Sequence, residues 1–442
     1  MKYVEQIKSV VLLFFVLLSI SLTFMIWNYK PDYPFIEEMP VDQVEIGDKK
    51  QLKDVLKPYR LLFRQEDQFK GTVSTSAIDD LFAQFATWDA HEVTLINNNL
   101  SDAKLNEMLR LNDRLTLFFT AKVPLQLFES VLPFRDKEVP NTAFDRLILD
   151  WSSVSTNNQV QLLFVNTEER TLYRSYVTMA NEQKFRMNIL EPTSNYNDYV
   201  EVERVNLQSF YVVEDSIESI KYTYYIEEIA PDLFKNVLFT DPSIVQRNVE
   251  SMQFEKYTDD TSLMTVDTQS RVLNYVYPAA ESISNIPATR LLRDSFEFLN
   301  EHGGITADYR FAFMNQSKHV TEYQLYLQGF PVHSSLTSTH ITTTWGDNRI
   351  FRYRRPYYSL DMDIPSEKTI KELPSGREII EYIQNSESLD FSKVDEIVVG
   401  YYLMQDQNLR LFTLEPSWFV ISDNLWTRVT PERLGGVEFG LE

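Results

Sequence analysis

The chain has 442 residues, of which 43% are hydrophobic and 13% aromatic. This length exceeds what a single hydrophobic core usually organises. Its formal net charge of −22 gives a surface that repels phosphate backbones, so nucleic-acid binding is disfavoured. The sequence has no cysteine, which excludes disulfides, thiolate metal sites, cysteine nucleophiles and lipid attachment through cysteine. We therefore expect two or three folded domains that are stabilised by packing alone.

An uncharged apolar segment occupies residues 10–27. About 18 helical residues at about 1.5 Å each span about 27 Å, which is enough to cross the hydrocarbon core of a bilayer. Lys2 and Lys8 precede the segment and acidic residues follow it, so the basic end is expected in the cytoplasm. The segment therefore predicts a single-pass protein of the cell membrane, with a cytoplasmic N-terminus and an extracytoplasmic body.

A cleaved signal peptide is the alternative interpretation, but residues 24–31 lack the small residues of a cleavage site. Trp27 fits the aromatic belt at the outer interface. Ser19 and Thr23 are four residues apart on one helix face, where small hydroxyl side chains permit close helix approach. We predict that Ser19, Thr23 and Trp27 contact a partner in the membrane. The alternative is that the two hydroxyls bond to carbonyls within their own helix.

Helices and strands alternate beyond a proline-containing spacer at residues 28–40. The Ser/Thr-rich segment 74–76 and Ser101 each precede a helical apolar pattern, as N-cap residues do. Aromatic and β-branched runs between polar turns predict an antiparallel sheet. In chain order, we predict strand 59–64, helix 78–88, strand 92–96, helix 101–109 and strands 115–119, 146–151, 159–165 and 171–177.

The polar, proline-containing segment 191–198 predicts a domain boundary. A smaller unit follows, with a strand, a helix opened by Pro231 and more strand up to Val276. A helix from Ser284 should stop at the glycine pair 303–304, which suits the left-handed conformation. The remaining predictions are strands 321–327, 341–345 and 350–354, a helix that begins with a capping box at Ser375, and strands from 396–399 to 426–429.

The predicted fold class is α+β, with an N-terminal transmembrane helix followed by a multi-domain ectodomain of antiparallel sheets and packed helices. The predicted divisions are the cytoplasmic tip and anchor (1–30), an N-terminal α+β domain (31–200), a small central α+β domain (201–282) and a C-terminal helix-plus-meander domain (283–442).

Sequence motifs for metal binding and catalysis are absent or incomplete. The five histidines show no spacing that places two imidazoles on one helix face for zinc. Residues 101–104 fit S-x-x-K and residues 422–424 fit S-D-N, but no K-T-G follows them, and Ser101 is explained as an N-cap. We therefore expect no enzyme activity, no catalytic residue, no metal and no cofactor.

Four arginines form the densest basic cluster of this acidic protein: Arg349, Arg352, Arg354 and Arg355. The cluster could dock a polyanion or an acidic partner. The alternative, which we favour, is that these side chains pair with carboxylates of the chain itself, as arginines on a sheet commonly do.

Three segments resemble the YycH family: the end of the anchor at 21–31, the strand Tyr309–Phe311 after the glycine pair, and residues 322–332. Members of this family are single-span extracytoplasmic regulators of the cell-wall sensor histidine kinase WalK (YycG) in Gram-positive bacteria. The resemblance covers nearly the whole chain. It implies a three-domain ectodomain whose last two domains are similar to the partner YycI, and a ternary membrane complex with YycI and the kinase.

The leading functional hypothesis is therefore a regulatory partner of a membrane kinase that acts through protein contacts. The alternative is an extracytoplasmic module that captures a cell-wall polymer or a peptide in an aromatic groove. A pocket lined by tyrosines and tryptophans with convergent polar groups would favour capture. A flat, exposed apolar patch would favour partner docking.

Overall fold

The structure is a computed structural model that describes residues 12–23, 46–154, 159–179, 181–282, 284–360, 362–386, 389–406, 410–422 and 425–429. The chain divides into two units, Met1–Val44 and Glu45–Glu442, and each is described by itself. Trp27 and the basic residues before the apolar segment lie outside the described residues, so their predicted roles stay predictions.

In the first unit the described residues form one helix, α1, at residues 12–23. Its apolar side chains are exposed, with Leu12 at 67% and Phe14 at 61%. Among the described residues, no helix is both long enough and apolar enough to cross a membrane. The apolar segment 10–27 extends beyond α1 at both ends, and the predicted membrane span stays a prediction.

The second unit contains both long and short helices between its strands. The described α-helices are α2 (Leu52–Val55), α3 (Thr75–Phe85), α4 (Asp102–Arg110), α5 (Glu182–Phe185), α6 (Pro231–Leu238), α7 (Ala288–Glu301) and α8 (Gly376–Gln384).

Serine N-caps begin three of these helices where the sequence predicts them. The hydroxyls of Ser74 and Ser101 each accept from the backbone N–H three residues further on, at 3.4 and 3.3 Å. Ser375 and Glu378 form the predicted capping box of α8. These bonds satisfy N–H groups that a helix leaves without an internal partner.

Helix α7 begins later than the predicted start at Ser284. Pro287 occupies the N-cap position, and the first helical residue is Ala288. A proline biases the residue before it towards extended geometry, so the chain turns helical only after Pro287. At the other end Gly303 and Gly304 have φ values of 112° and 65°, which confirms the predicted left-handed stop.

The first sheet of the second unit is antiparallel throughout its described strands. These strands are β1 (Arg60–Gln65), β2 (Gln68–Thr72), β3 (Ala90–Asn97), β4 (Arg114–Pro124), β5 (Ala143–Asp150), β6 (Gln159–Asn166), β7 (Thr171–Thr178), β8 (Asn197–Val202) and β9 (Phe210–Val213). Their order across the sheet is β3-β7-β6-β5-β4-β1-β2-β8-β9.

Both faces of this sheet are covered. Successive side chains of a strand point to opposite faces, so Leu147 and Ile148 of β5 belong to two different buried clusters. Helix α3 contributes Leu81 to the first cluster, and α4 contributes Leu105 to the second. Strands buried on both faces read as continuous apolar runs, and this explains the run Leu147–Leu149, whose three side chains are fully buried.

The remaining strands form a larger second sheet and one short ribbon. They are β10 (Ile217–Tyr225), β11 (Glu227–Glu228), β12 (Gln246–Val249), β13 (Phe254–Thr258), β14 (Leu263–Asp267), β15 (Val272–Val276), β16 (Tyr309–Asn315), β17 (Val320–Leu327), β18 (Phe330–His333), β19 (His340–Trp345), β20 (Ile350–Pro356), β21 (Tyr358–Ser359), β22 (Thr369–Leu373), β23 (Glu396–Asp406), β24 (Leu411–Ser422) and β25 (Leu425–Val429).

The second sheet has the order β12-β13-β14-β15-β20-β19-β17-β18-β23-β24-β10-β22, with β16 beside β17 and β25 beside β24. Strands β18 and β23 pair in parallel, and β11 and β21 form the separate ribbon. The sheet runs across residue 282, because β15 pairs with β20 and β10 pairs with β24. The α+β class with antiparallel sheets is confirmed, and the predicted domain limits stay predictions.

Candidate functional site

The structure describes two of the three residues predicted to contact a partner in the membrane. Ser19 and Thr23 lie on α1, and the Thr23 hydroxyl donates to the main-chain oxygen of Ser19 at 2.8 Å. This bond is the intrahelical alternative considered for these hydroxyls. Trp27 lies outside the described residues. The partner contact through Ser19, Thr23 and Trp27 therefore stays a prediction.

A cavity of about 440 Å³ lies between the two sheets of the second unit, and we name it the intersheet cavity. One wall comes from β1, β2, β8, β9 and the start of α3, and the other comes from β18, β23 and β24. Its volume falls within the roughly 300–1,000 Å³ that is typical of ligand pockets. Its lining combines aromatic rings, among them Tyr59, Tyr199 and Trp418, with small polar side chains such as Ser74 and Asn197.

A buried ion pair joins the two walls of the intersheet cavity. Arg60 of β1 and Glu396 of β23 are 2% and 7% exposed, and Arg60 Nη2 lies 3.0 Å from Glu396 Oε2. The Tyr59 hydroxyl donates to the same carboxylate oxygen at 2.9 Å. Arg60 Nη1 also donates to the main-chain oxygen of Tyr211 on β9, at 2.8 Å. One guanidinium group therefore fastens strands β1, β9 and β23 together, and we name this set of bonds the Arg60 clamp.

The electrostatics of the clamp keep Arg60 charged and the nearby phenols neutral. Burial lowers the pKa of Arg60, but the Glu396 carboxylate more than offsets this, and the net pKa is raised. Burial is the main cause that raises the pKa values of Tyr59, Tyr199 and Tyr211. The site therefore holds one buried cation, balanced by one buried carboxylate, among protonated tyrosines.

Aromatic rings complete the surroundings of the guanidinium group. The Arg60 Cζ atom lies 4.3 Å from the centroid of the Phe118 ring and 5.6 Å from that of Tyr199. Gly71 makes room for the second ring, since a Cβ atom at this position would lie 2.5 Å from Tyr199 Cε2. The absence of a side chain at Gly71 thus lets Tyr199 pack against β2 at the cavity wall.

Two buried polar atoms beside the cavity have no hydrogen-bond partner among the described residues. They are Nε of Arg60 and the hydroxyl of Tyr211, which is 0% exposed. Both residues line the cavity. Buried polar groups are normally satisfied, so these two unpaired atoms are a local cost to stability beside the clamp.

Sequence reasoning missed this site because its parts are far apart in the chain. Arg60 and Glu396 are separated by 336 positions, and no local pattern couples them. One signal was available: Arg60 opens the apolar strand run Leu61–Phe63, where an arginine has to find a buried partner.

Metal and nucleophile chemistry receive no support from the part of the chain that is described. No group of three His, Cys, Asp or Glu side chains within it is placed to hold a metal ion. The N-cap role predicted for Ser101 is confirmed, and Lys104 of the S-x-x-K match pairs with Glu107 at 2.9 Å. Asp423 and Asn424 of the S-D-N match lie outside the described residues.

No ion pair within 4 Å joins any of the four arginines to a described carboxylate, but Arg354 is close enough to Glu322 to lower the pKa of that carboxyl, which burial raises. Arg355 is 0% exposed and donates to the main-chain oxygen of Gly304 at 3.0 Å, just after α7 ends. Arg349 packs over the ring of Tyr277, with 3.9 Å between Cζ and the centroid. Main-chain oxygens freed at a helix end replace the expected carboxylates for Arg355.

Family models match both halves of the chain. The model described as YycH protein, N-terminal domain, matches residues 5–194, and the model described as YycH protein, C-terminal domain, matches residues 207–434. The chain belongs to the YycH family. The resemblance seen in the sequence is thereby confirmed.

A curated relative and a solved structure agree with this membership. The protein of Bacillus subtilis (strain 168) named two-component system WalR/WalK regulatory protein YycH is 22% identical over 457 aligned positions, which cover 99% of each chain. The crystal structure of YycH from Bacillus subtilis is similar with a TM-score of 0.74 at 19% identity, covering 87% of this chain and 99% of that chain. The similarity to this crystal structure supports the fold described above.

Proposed function

We propose that this chain is a membrane-anchored extracytoplasmic protein that regulates a WalK-like sensor histidine kinase through protein contacts, not through catalysis. The observation that carries the proposal is the end-to-end likeness to a relative named as a regulatory protein of a two-component system, since 99% of each chain is covered. A YycI-like membrane protein is the proposed second partner.

Exposed apolar side chains support docking as the mode of action. At the tip of the β12–β13 hairpin, Val249, Met252 and Phe254 are 58%, 99% and 46% exposed. Such side chains gain free energy when a partner covers them. Affinity purification of the full-length chain from solubilised membranes tests the proposal, and we expect a sensor kinase and a YycI-like protein to copurify. Recovery of neither protein, in repeated purifications at native expression, would refute it.

The proposed orientation places the second unit outside the cell and Lys2 in the cytoplasm. The apolar segment 10–27 and the lysines before it support this orientation. Because the chain has no cysteine, single cysteines can report it directly. A membrane-impermeant maleimide should label Met252→Cys on intact cells, and should label Lys2→Cys only after lysis. The reverse pattern would contradict the proposed orientation.

The proposed signal path to the kinase runs through the helix face with Ser19 and Thr23. A Ser19→Leu, Thr23→Leu double variant should still insert, because leucine favours the membrane, but should crosslink less to the kinase. Ser21→Leu is the matched control, since Ser21 lies about 200° around the helix from each of them. If the wild type, the double variant and Ser21→Leu crosslink equally to the kinase, this helix face is not the signal path, and the signal would pass through the second unit instead.

Ligand capture is a second candidate function, and the intersheet cavity is the observation that favours it. Tyrosines and Trp418 line the cavity together with convergent polar groups, which is the pattern expected of a capture site. The two functions separate by mutation. Loss of kinase regulation in Met252→Ser with retention in the cavity-filling variant Val398→Phe favours docking, and the opposite result favours capture.

A further inference from the structure

We propose that the outer face of strands β15, β19 and β20 binds a linear phosphodiester polymer. Five side chains form this surface, which we name the arginine face: Asn274, Thr342, Thr344, Arg352 and Arg354. None of them lines the intersheet cavity. The assignment goes beyond the two functions proposed above and does not depend on contact with the kinase.

The pleat of β20 divides its side chains between the two faces of the sheet. Arg352 and Arg354 are exposed on the outer face, whereas Tyr353 and Arg355 are fully buried on the inner face. Alternate residues of a strand lie about 7 Å apart, so the two exposed guanidinium groups follow one another along β20. They offer two successive cations to an extended chain of anions.

Strand pairing places hydrogen-bonding side chains on both sides of the two arginines. Thr342 of β19 lies opposite Arg354, and Thr344 lies opposite Arg352. On the other side of β20, Asn274 of β15 lies opposite Arg354. Paired residues project to the same face, and adjacent strands are about 4.8 Å apart, so the five side chains form one continuous patch.

The polar groups of the arginine face are available to a ligand. The five side chains make no hydrogen bond, and no ion pair within 4 Å, to the residues that the structure describes. Glu322 of β17 lies opposite Thr342, one strand further from β20. Burial raises the pKa of Glu322 more than Arg354 lowers it, so Arg354 does not stabilise this carboxylate as a close partner would.

This set of side chains suits phosphate. Arginine, threonine and asparagine are among the side chains by which proteins hold the phosphate oxygens of nucleic-acid backbones. The guanidinium fork can bind two oxygens of one phosphate at once. The centre of a protein interface is depleted of charge and more apolar, which the arginine face is not. None of the five side chains is an aromatic ring on which a base could stack, so a polymer without bases fits better.

A polymer fits this open surface better than a single phosphate does. Two exposed arginines hold one phosphate weakly, but successive phosphates of one chain bind them together at a high effective concentration. The formal net charge of −22 repels polyanions at long range. At physiological salt, exposed charges more than about 8 Å apart are largely screened, so the adjacent arginines decide the local contact.

Isothermal titration of the purified full-length chain with synthetic poly(glycerol phosphate) tests this proposal. We expect saturable binding that weakens as the salt concentration rises. The Arg352→Gln, Arg354→Gln variant should bind at least about tenfold more weakly. Loss of two phosphate contacts should also flatten the slope of log K against log salt by about 1.4. Both arginines are exposed, so the urea midpoint of this variant should stay at the wild-type value.

Arg293→Gln, Lys137→Gln is the matched control, because it removes the same charge from two exposed side chains outside the arginine face. Its affinity and its salt dependence should equal those of the wild type. Thr342→Val, Thr344→Val keeps the charge and the β-branched shape but removes both hydroxyls. It should weaken binding by about threefold to tenfold without changing the salt dependence.

Three outcomes overturn the proposal: no saturable binding of poly(glycerol phosphate), equal weakening by the matched control, or equally tight binding of polyglutamate. The last result would make the arginine face a docking surface for an acidic protein instead.

Discussion

Replacing Glu396 by glutamine leaves the Arg60 guanidinium group buried without its carboxylate. Arg60 is 2% exposed and Glu396 is 7% exposed, so water cannot take the place of the missing charge. In the wild type, the Glu396 carboxylate accepts from the Tyr59 hydroxyl at 2.9 Å and from Arg60 Nη2 at 3.0 Å. Removal of one partner from a buried pair typically costs about 3–5 kcal/mol. Because glutamine keeps one acceptor oxygen, we expect a loss near the lower limit, about 3 kcal/mol.

Urea unfolding of the full-length chain, followed by tryptophan fluorescence, measures this loss as a shift of the transition midpoint. Glu107→Gln is the control, because Lys104 and Glu107 form a 2.9 Å pair whose side chains are 55% and 62% exposed. An exposed pair of this kind should contribute less than about 1 kcal/mol. If Glu396→Gln shifts the urea midpoint no more than Glu107→Gln does, the Arg60 clamp does not stabilise the fold.

Three further predictions concern local contacts. Ser101→Ala should lower the free energy of unfolding by about 1 kcal/mol through loss of an N-cap, measured by urea unfolding. Gly71→Ala should lower it by about 1–3 kcal/mol and displace the Tyr199 ring, which would change the near-ultraviolet circular dichroism. Burial lowers the pKa of His333 to about 3 and that of His340 to about 4. Because these folded-state pKa values are depressed, their contribution to stability is complete above about pH 6.5 and is lost as the pH falls towards 4. The urea midpoints at pH 7 and pH 5 should therefore differ less in the His333→Gln, His340→Gln variant than in the wild type.

Local patterns predicted most elements of this fold because their causes are local. The capping box at Ser375 and the period-two runs of β17 and β19 specify helix and strand without help from distant residues. The hairpin that joins β1 to β2 was missed for a local reason too. Its two loop residues, Glu66 and Asp67, have φ values of 48° and 61°. Such a turn normally carries Asn-Gly or Asp-Gly, so this sequence gave no turn signal.

The intersheet cavity could not be predicted because its walls come from distant parts of the chain. The apolar run after Arg60 indicates only that this arginine needs a buried partner, and Glu396 looks like an ordinary charge, so only the fold reveals that the two lie within 3.0 Å. Arg355 illustrates the same limit. The sequence favoured a carboxylate partner for it, but the fold places its guanidinium group at the main-chain oxygens that follow α7. The end of a helix can thus neutralise a buried arginine that composition alone would assign to an ion pair.

The Arg60 clamp and the intersheet cavity join the two halves that the family models separate. Arg60 lies in the half matched over residues 5–194, and Glu396 lies in the half matched over residues 207–434. A molecule bound in the cavity touches both halves at once, so its binding energy depends on how they are held together. Two variants separate these effects, because Val398→Phe fills the cavity and keeps both residues of the ion pair, whereas Glu396→Gln breaks the clamp. If kinase regulation is lost in Glu396→Gln and kept in Val398→Phe, regulation requires the fixed arrangement of the halves and not a molecule in the cavity.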